Sequence, residues 1–163
     1  MEDRVNDLCQ KFDSFAKKGH IDLPAFHDLN CQLEQKPIQE SESRMVFNGI
    51  DIDNSKLISK QEFVEYIRAV LDNNQVQIFK IVFRAFDKNR NRVLEPSEVA
   101  EICRFANKEL TPAELDVAIE TLTGSKQGKI TFPQLLKFIT GMEIDPKTDP
   151  YDGKLKSGCC LIL

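Results

Sequence analysis

Four related segments of twelve residues recur in the sequence at a nearly constant spacing. Residues 51–62 (DIDNSKLISKQE) are followed 36 positions later by residues 87–98 (DKNRNRVLEPSE) and, after another 36, by residues 123–134 (TGSKQGKITFPQ). Residues 14–25 (SFAKKGHIDLPA) begin 37 positions before the second copy. Each copy has an aliphatic residue at its eighth position. A repeat of this length predicts one supersecondary unit used four times.

Amphipathic helices are predicted on both sides of these segments. The helical spacing i, i+3, i+4, i+7 precedes the third segment at Phe79, Val82, Phe83 and Phe86. It follows the second segment at Phe63, Tyr66, Ile67 and Val70. Thr111 and Glu114 have the spacing of a capping box, with Pro112 at the first helical position. Each unit is therefore predicted to be helix, loop, helix, and the fold class to be all-α.

The repeat resembles the EF-hand proteins of the calmodulin type, over roughly residues 5–142. The second and third segments match most specifically. The resemblance implies that hands one and two form one lobe (residues 1–72), and hands three and four another (residues 73–142). It also implies short β-bridges between paired loops, with Ile21 opposite Ile58 and Leu94 opposite Ile130. Residues 71–75 (LDNNQ) are expected to be the hinge between the lobes.

Calcium is the cofactor that this resemblance implies, because the ion takes six to eight oxygen ligands, including a bidentate carboxylate at position 12. The family pattern assigns oxygen ligands from two loops. In loop two (residues 51–62) they are Asp51, Asp53, Ser55, the Leu57 carbonyl, Ser59 through water, and Glu62. In loop three (residues 87–98) they are Asp87, Asn89, Asn91, the Val93 carbonyl, Glu95 and Glu98.

Two features are expected to weaken calcium binding at these loops. Lys56 and Arg92 occupy position 6, where a positive φ normally selects glycine; a left-handed conformation there costs about 1–2 kcal/mol. Nearby cations also oppose a divalent ion, and in loop three they balance the acidic charge. We rank loop two above loop three. Loop one (residues 14–25) and loop four (residues 123–134) lack the acidic ligands and are predicted to be structural turns.

Charge, cysteine usage and the absence of catalytic motifs argue against several classes of protein. A net charge of −4 and a pI near 5.3 argue against nucleic-acid binding. An odd number of cysteines without a Cys-x-x-Cys pair favours a reducing compartment. The acidic N-terminus is not typical of a signal peptide. The sequence contains no nucleophile elbow, phosphate loop or dinucleotide fingerprint, so we do not expect an enzyme.

The segment 143–163 differs from the repeats and is predicted to be a flexible tail with a lipidation motif. Its last four residues, CLIL, match the prenylation signal, with Cys160 as the modified residue and a terminal leucine that favours geranylgeranyl. One lipid anchors only marginally, so Cys159 is a candidate for palmitoylation. This predicts a cytoplasmic protein attached peripherally to a membrane. The alternative is a chance match in an apolar chain end.

Two functional hypotheses follow. The first is a membrane-anchored calcium sensor that exposes a hydrophobic groove to an amphipathic helix of a target protein when it binds calcium. The second is a calcium-independent adaptor, resembling a light chain, whose lobes grip a target helix constitutively. A scarcity of methionine, with only Met1, Met45 and Met142, predicts a narrow range of partners. Buffering is a weaker hypothesis, because both candidate loops are impaired.

Overall fold

The structure is a computed structural model that describes residues 1–105 and 110–152. Within these ranges the chain forms eight helices and four strands of two residues each. In chain order they are α1 (Glu2–Phe15), β1 (His20–Ile21), α2 (Leu23–Glu34), α3 (Glu40–Ile50), β2 (Ile58–Ser59), α4 (Lys60–Leu71), α5 (Gln75–Phe86), β3 (Val93–Leu94), α6 (Pro96–Phe105), α7 (Pro112–Thr123), β4 (Ile130–Thr131) and α8 (Phe132–Thr140). The predicted all-α fold of four helix–loop–helix units is confirmed. None of the described helices is long and apolar enough to cross a bilayer.

Local sequence signals explain where several helices begin. The Thr111 side chain accepts the Glu114 N–H while Glu114 reaches back to Thr111, so the predicted capping box at α7 is present. Ser59 and Glu62 form the same box at α4. These caps satisfy backbone N–H groups that have no partner inside the helix. In α4 the capping glutamate is also the position-12 residue of loop two, so one side chain fixes both the helix start and the loop end.

The four strands pair as the resemblance implied. β1 and β2 are antiparallel with Ile21 opposite Ile58, and β3 and β4 are antiparallel with Leu94 opposite Ile130. All four of these side chains are buried. The bridges therefore tie loop one to loop two and loop three to loop four through the apolar core.

Each half of the chain has its own hydrophobic core. Lobe one (α1–α4) is centred on Phe12 and Phe63, whose rings stack with centroids 4.8 Å apart. Lobe two (α5–α8) is centred on Phe83 and Phe132, whose rings meet edge to face at 5.8 Å. One detail of the helical pattern is wrong: Val70, predicted on the apolar face of α4, is exposed over 49% of its surface.

The two lobes pack directly against each other. Among the described elements, α3 of lobe one and α5 of lobe two make the most extensive contact. Gly49 on α3 lies so close to Ile81 on α5 that an added Cβ would be 2.7 Å from the Ile81 Cγ2 atom and closer still to its carbonyl oxygen. The buried Arg84 guanidinium completes the junction, with its Nε donating to the Gly49 carbonyl over 2.6 Å. The connector between α4 and α5, predicted to be a hinge, therefore joins two lobes that are in contact.

The polar segment after α8 also packs against the protein. We call residues 142–152 the strap. Met142 and Ile144 pack on the core of lobe two, Pro150 is buried, and Tyr151 is half-buried. Tertiary contacts thus join residues 142–152 to the lobes, while the flexible tail from residue 143 stays a prediction. Residues 153–163, which contain the predicted lipidation sites Cys159 and Cys160, lie outside the described residues.

Candidate metal centre

Loop two brings three acidic side chains together. One carboxylate oxygen each from Asp51, Asp53 and Glu62 lies within 4.8 Å of the others. Asp51 follows the last residue of α3, and Glu62 lies in the first turn of α4, so two helix ends hold the cluster. Convergent carboxylate oxygens are the ligands that hard cations such as calcium prefer. The donor set of loop two therefore fits a calcium ion.

Backbone amides organise these carboxylates. Asp51 accepts the Ser55 N–H through Oδ1 (3.0 Å) and the Lys56 N–H through Oδ2 (3.2 Å). Glu62 accepts the Ile52 N–H through Oε1 (2.8 Å) and the Ser59 N–H through Oε2 (2.9 Å). The loop thus curls around its two end carboxylates, and the side chains at positions 1 and 12 are already oriented inward.

The environment shifts the protonation of the two aspartates in opposite directions. Burial raises the pKa of Asp51 above its ordinary value, partly offset by the Lys56 N–H. Hydrogen bonds from the Ser55 hydroxyl and backbone N–H lower the pKa of Asp53. Burial penalises the charged form of a carboxylate, and the Arg90 guanidinium, 3.9 Å from Oδ2 of Asp51, offsets part of this penalty.

Loop three repeats the same arrangement. Asp87 accepts the Asn91 N–H (3.1 Å) and the Arg92 N–H (2.9 Å). Glu98 accepts the Lys88 N–H (3.0 Å) and the Glu95 N–H (3.0 Å). These are the counterparts, position by position, of the bonds in loop two. Loop three is consequently shaped like loop two, although Asn89 replaces Asp53 at position 3 and Asn91 replaces Ser55 at position 5.

The remaining predicted ligands lie on the same two loops. The Leu57 carbonyl accepts the Ser55 hydroxyl (2.9 Å), and the Ser59 hydroxyl donates to Glu62 (2.7 Å). In loop three, Asn89 accepts the Asn91 N–H (3.0 Å). The Val93 N–H donates to the Asn91 side-chain oxygen (3.0 Å). Glu95 also pairs with Lys129 of loop four at 3.2 Å. Their role as calcium ligands stays a prediction.

Position 6 of loops two and three has the positive φ that the sequence predicts. Lys56 has φ 64° and Arg92 has φ 69°, both in the left-handed region. The backbone N–H groups of these two residues donate to Asp51 and Asp87. The turn that glycine normally makes is therefore present in both loops, with the strain of a side chain added.

Loops one and four have a different structure. In loop one the helix α1 continues through Ser14, and the chain then turns tightly at Lys18 (φ 54°) and Gly19 (φ 79°). In loop four Thr123 is the last residue of α7, and Gly128 does not have a positive φ. A Cβ at Gly128 would overlap the Thr123 hydroxyl oxygen. Gly128 is thus needed for close packing rather than for the position-6 turn.

Sequence reasoning missed two residues that contact the candidate loops. Arg90 of loop three donates to the Asp51 carbonyl (2.7 Å) and the Ile52 carbonyl (2.9 Å), and so connects the two loops across the lobe junction. Tyr151 of the strap donates its hydroxyl to Asp87 at 2.9 Å. The loop pattern treats Arg90 only as an opposing charge, and no local pattern indicates where Tyr151 lies.

No family model matches this chain. Curated proteins do match it over most of their length. Troponin C, isoallergen Bla g 6.0301, of Blattella germanica is 25% identical over 145 residues, which cover 85% of this chain and 94% of that protein. Troponin C, isoform 2, of Drosophila melanogaster is 25% identical over 85% of this chain and 93% of its own. Troponin C of Tyrophagus putrescentiae is 26% identical over 86% and 95%.

The observations agree with one another. The chain has four helix–loop–helix units, two pairs of loops joined by β-bridges, and two loops whose end carboxylates face inward. Its similarity to the troponin C proteins covers 85% to 86% of the chain. In its EF-hand fold and over most of its length, the chain is therefore similar to these troponin C proteins.

Proposed function

We propose that the protein is a calcium-responsive regulatory protein that binds calcium at loop two and, less tightly, at loop three. The observation that carries the proposal is the convergence of Asp51, Asp53 and Glu62 in a loop between two helices. Similarity to troponin C proteins supports the same class. When bound, the ion supplies a double positive charge that offsets the mutual repulsion of these carboxylates.

The chain's own residues connect the loop to the helices. Glu62 lies in the first turn of α4 and bonds the Ile52 N–H at the other end of the loop. A change in the hydrogen bonds of Glu62 therefore acts directly on the angle between α3 and α4. Because α3 packs on α5, a movement of α3 would also displace α5 of lobe two. We propose that this coupling changes the apolar surface offered to a partner.

Lobe two is where we propose that a partner binds. Several apolar side chains there are exposed by about half or more: Phe105 (53%), Val117 (62%), Phe138 (58%) and Ile139 (45%). Amphipathic helices bind such surfaces through apolar residues spaced along one face. We propose an amphipathic helix of a target protein as the partner.

Addition of calcium is expected to increase binding of an apolar-surface dye to the folded protein. The physical reason is the link from Glu62 through α3 to the core of each lobe. The measurement is dye fluorescence with calcium, with magnesium and with chelator, on the parent chain and on Glu62→Gln. Enhancement that requires calcium and is lost in Glu62→Gln supports a sensor.

A specific observation favours the second candidate function, a calcium-independent adaptor. Arg90 donates to the carbonyls of Asp51 and Ile52, and the end carboxylates of loops two and three accept backbone N–H groups of their own loops. This arrangement suits an adaptor whose lobes are fixed constitutively. The adaptor is favoured if the folded protein binds the dye equally with and without calcium while the apolar side chains of lobe two are exposed.

We also propose that the protein is held at a cytoplasmic membrane face through Cys160, with Cys159 as a second attachment site. Support comes from the CLIL motif alone. Mass spectrometry of the protein from its native cell is expected to show the loss of the last three residues and the gain of a prenyl group. An intact Leu163 terminus would rule out this anchor. A Cys160→Ser variant is the matched control, because it should keep all 163 residues.

A further inference from the structure

The strap reaches a ligand residue of loop three. The Tyr151 hydroxyl donates a hydrogen bond of 2.9 Å to Oδ2 of Asp87, the position-1 residue. The same oxygen accepts the Arg92 N–H, and Asp87 is only 1% exposed. Next to this contact, Asp149 forms an ion pair of 2.8 Å with the Arg92 side chain. The strap therefore closes over the acidic end of loop three.

Cations on α5 hold the strap in this position. Arg84 donates to the Pro150 carbonyl at 2.7 Å, and Lys80 donates to the Asp152 carbonyl at 3.5 Å. Burial lowers the pKa of Arg84 to about 10, so the guanidinium stays charged at neutral pH. Hydrogen bonds from a charged donor are stronger than those between neutral groups. Loop three and α5 thus bind the strap at several adjacent positions.

The Tyr151 hydroxyl can occupy a lone pair of the Asp87 carboxylate. A tyrosine hydroxyl is a hydrogen-bond donor, and this one donates to Oδ2 of Asp87 from a half-buried position. A proton donor and a metal ion use the same oxygen lone pairs. Oδ2 of Asp87 accepts both the Arg92 N–H and the Tyr151 hydroxyl, so it can present a lone pair to an ion only if one of these donors moves away.

We propose that the strap is an internal competitor of calcium at loop three, with the Tyr151 hydroxyl as the group that the ion must displace from Asp87. The inference rests on the proposed calcium binding and adds a regulation of that same site. It is a second reason to rank loop two above loop three, since among the described contacts the strap bonds the position-1 carboxylate of loop three and not that of loop two.

Competition at one site has a reciprocal consequence. If the strap lowers the calcium affinity of loop three, calcium must lower the affinity of the strap for the protein by the same factor. The strap also contacts loop two indirectly, since the Tyr151 ring lies 5.7 Å from the guanidinium of Arg90, which bonds Asp51. Release of the strap would free residues 142–152 from lobe two.

The first test compares calcium binding by the full chain with that of Tyr151→Phe. This variant keeps the ring next to Arg90 and removes only the hydroxyl. A hydrogen bond to a charged group supports an increase of about tenfold in calcium affinity at loop three. Chelator competition measures it, with Glu98→Gln identifying which binding event belongs to loop three. Tyr66→Phe, a matched change in the core of lobe one, should leave the affinity unchanged.

The second test needs no change at Tyr151. The chain has two tyrosines and no tryptophan, so Tyr66→Phe leaves Tyr151 as the single emitting residue. Emission from tyrosine changes when its hydroxyl leaves a carboxylate. Calcium is expected to change the emission of Tyr66→Phe, and the change should disappear with Glu98→Gln but persist with Glu62→Gln.

The outcomes separate this inference from the proposed function. In one outcome, calcium binds in a way that depends on Glu62, the emission of Tyr151 does not change, and loop three has the same affinity in the parent and in Tyr151→Phe. This result would overturn the competitor role and leave the proposed function standing. Absence of calcium binding at both loops, in the parent and in Tyr151→Phe alike, would overturn both. A higher loop-three affinity in Tyr151→Phe with a calcium-dependent emission change supports the competitor.

Discussion

Gly49→Val is expected to lower the free energy of unfolding by about 3 kcal/mol, at the upper end of the usual cost of overpacking. An added Cβ at Gly49 meets the Ile81 Cγ2 atom at 2.7 Å and, closer still, the Ile81 carbonyl oxygen, a backbone atom that cannot move without α5. The two lobes must then move apart, which also stretches the bond from Arg84 to the Gly49 carbonyl. Urea denaturation and the radius of gyration from small-angle scattering measure the two effects.

Gly49→Ala adds only a Cβ atom, so it tests the close contact between α3 and α5 without a large side chain. Helix propensity alone predicts a gain of about 1 kcal/mol when alanine replaces a glycine inside a helix. The contact with Ile81 predicts a loss instead. Ser41→Val, an exposed site on the same helix, serves as the control for the cost of a β-branched residue. A gain in stability for Gly49→Ala, with an unchanged radius of gyration, would contradict the close packing of α3 on α5.

Glu62→Gln is expected to lower the calcium affinity of loop two by about a hundredfold or more, because one of three converging negative charges is removed from a divalent ion. Stability without calcium should change by less than about 1 kcal/mol, because glutamine also serves in a capping box and can accept the Ile52 or Ser59 N–H. Calorimetric titration measures the first quantity, and thermal unfolding in chelator measures the second.

The matched variants for this prediction are Glu98→Gln and Glu42→Gln. Glu98 has the same position and the same hydrogen bonds in loop three, so its removal should abolish the weaker binding event only. Glu42 is exposed on α3, away from the cluster, and its neutralisation should leave both events nearly unchanged. Equal heats and affinities in the parent and in Glu62→Gln would show that loop two is not the site.

Local sequence signals predicted much of this architecture. The repeat gives the register of the loops, and the resemblance to EF-hand proteins implies that position-8 residues pair across each lobe, so Ile21 and Ile58 could be paired in advance. The positive φ at Lys56 and Arg92 follows from the same register. Caps such as Thr111 with Glu114 depend on residues three positions apart and are visible in the sequence.

Contacts between distant parts of the chain could not be predicted in this way. The period of the repeat carries no information about which faces of the two lobes meet, so the packing of α3 on α5 was not foreseen. Gly49, a glycine inside a helical pattern, was the available signal of a close backbone approach. Proline and polar residues in the strap resemble a linker, yet Arg84, Arg92 and Asp87 bind it through contacts that span more than fifty residues.

The measurement that tests the central claim most directly is a calcium titration of the unmodified full chain in competition with a chelator dye. We predict at least one site with a dissociation constant in the micromolar range of calcium sensors, lost in Glu62→Gln. Absence of competition even at millimolar calcium would contradict the claim, and would leave the four repeats as a scaffold for a calcium-independent adaptor.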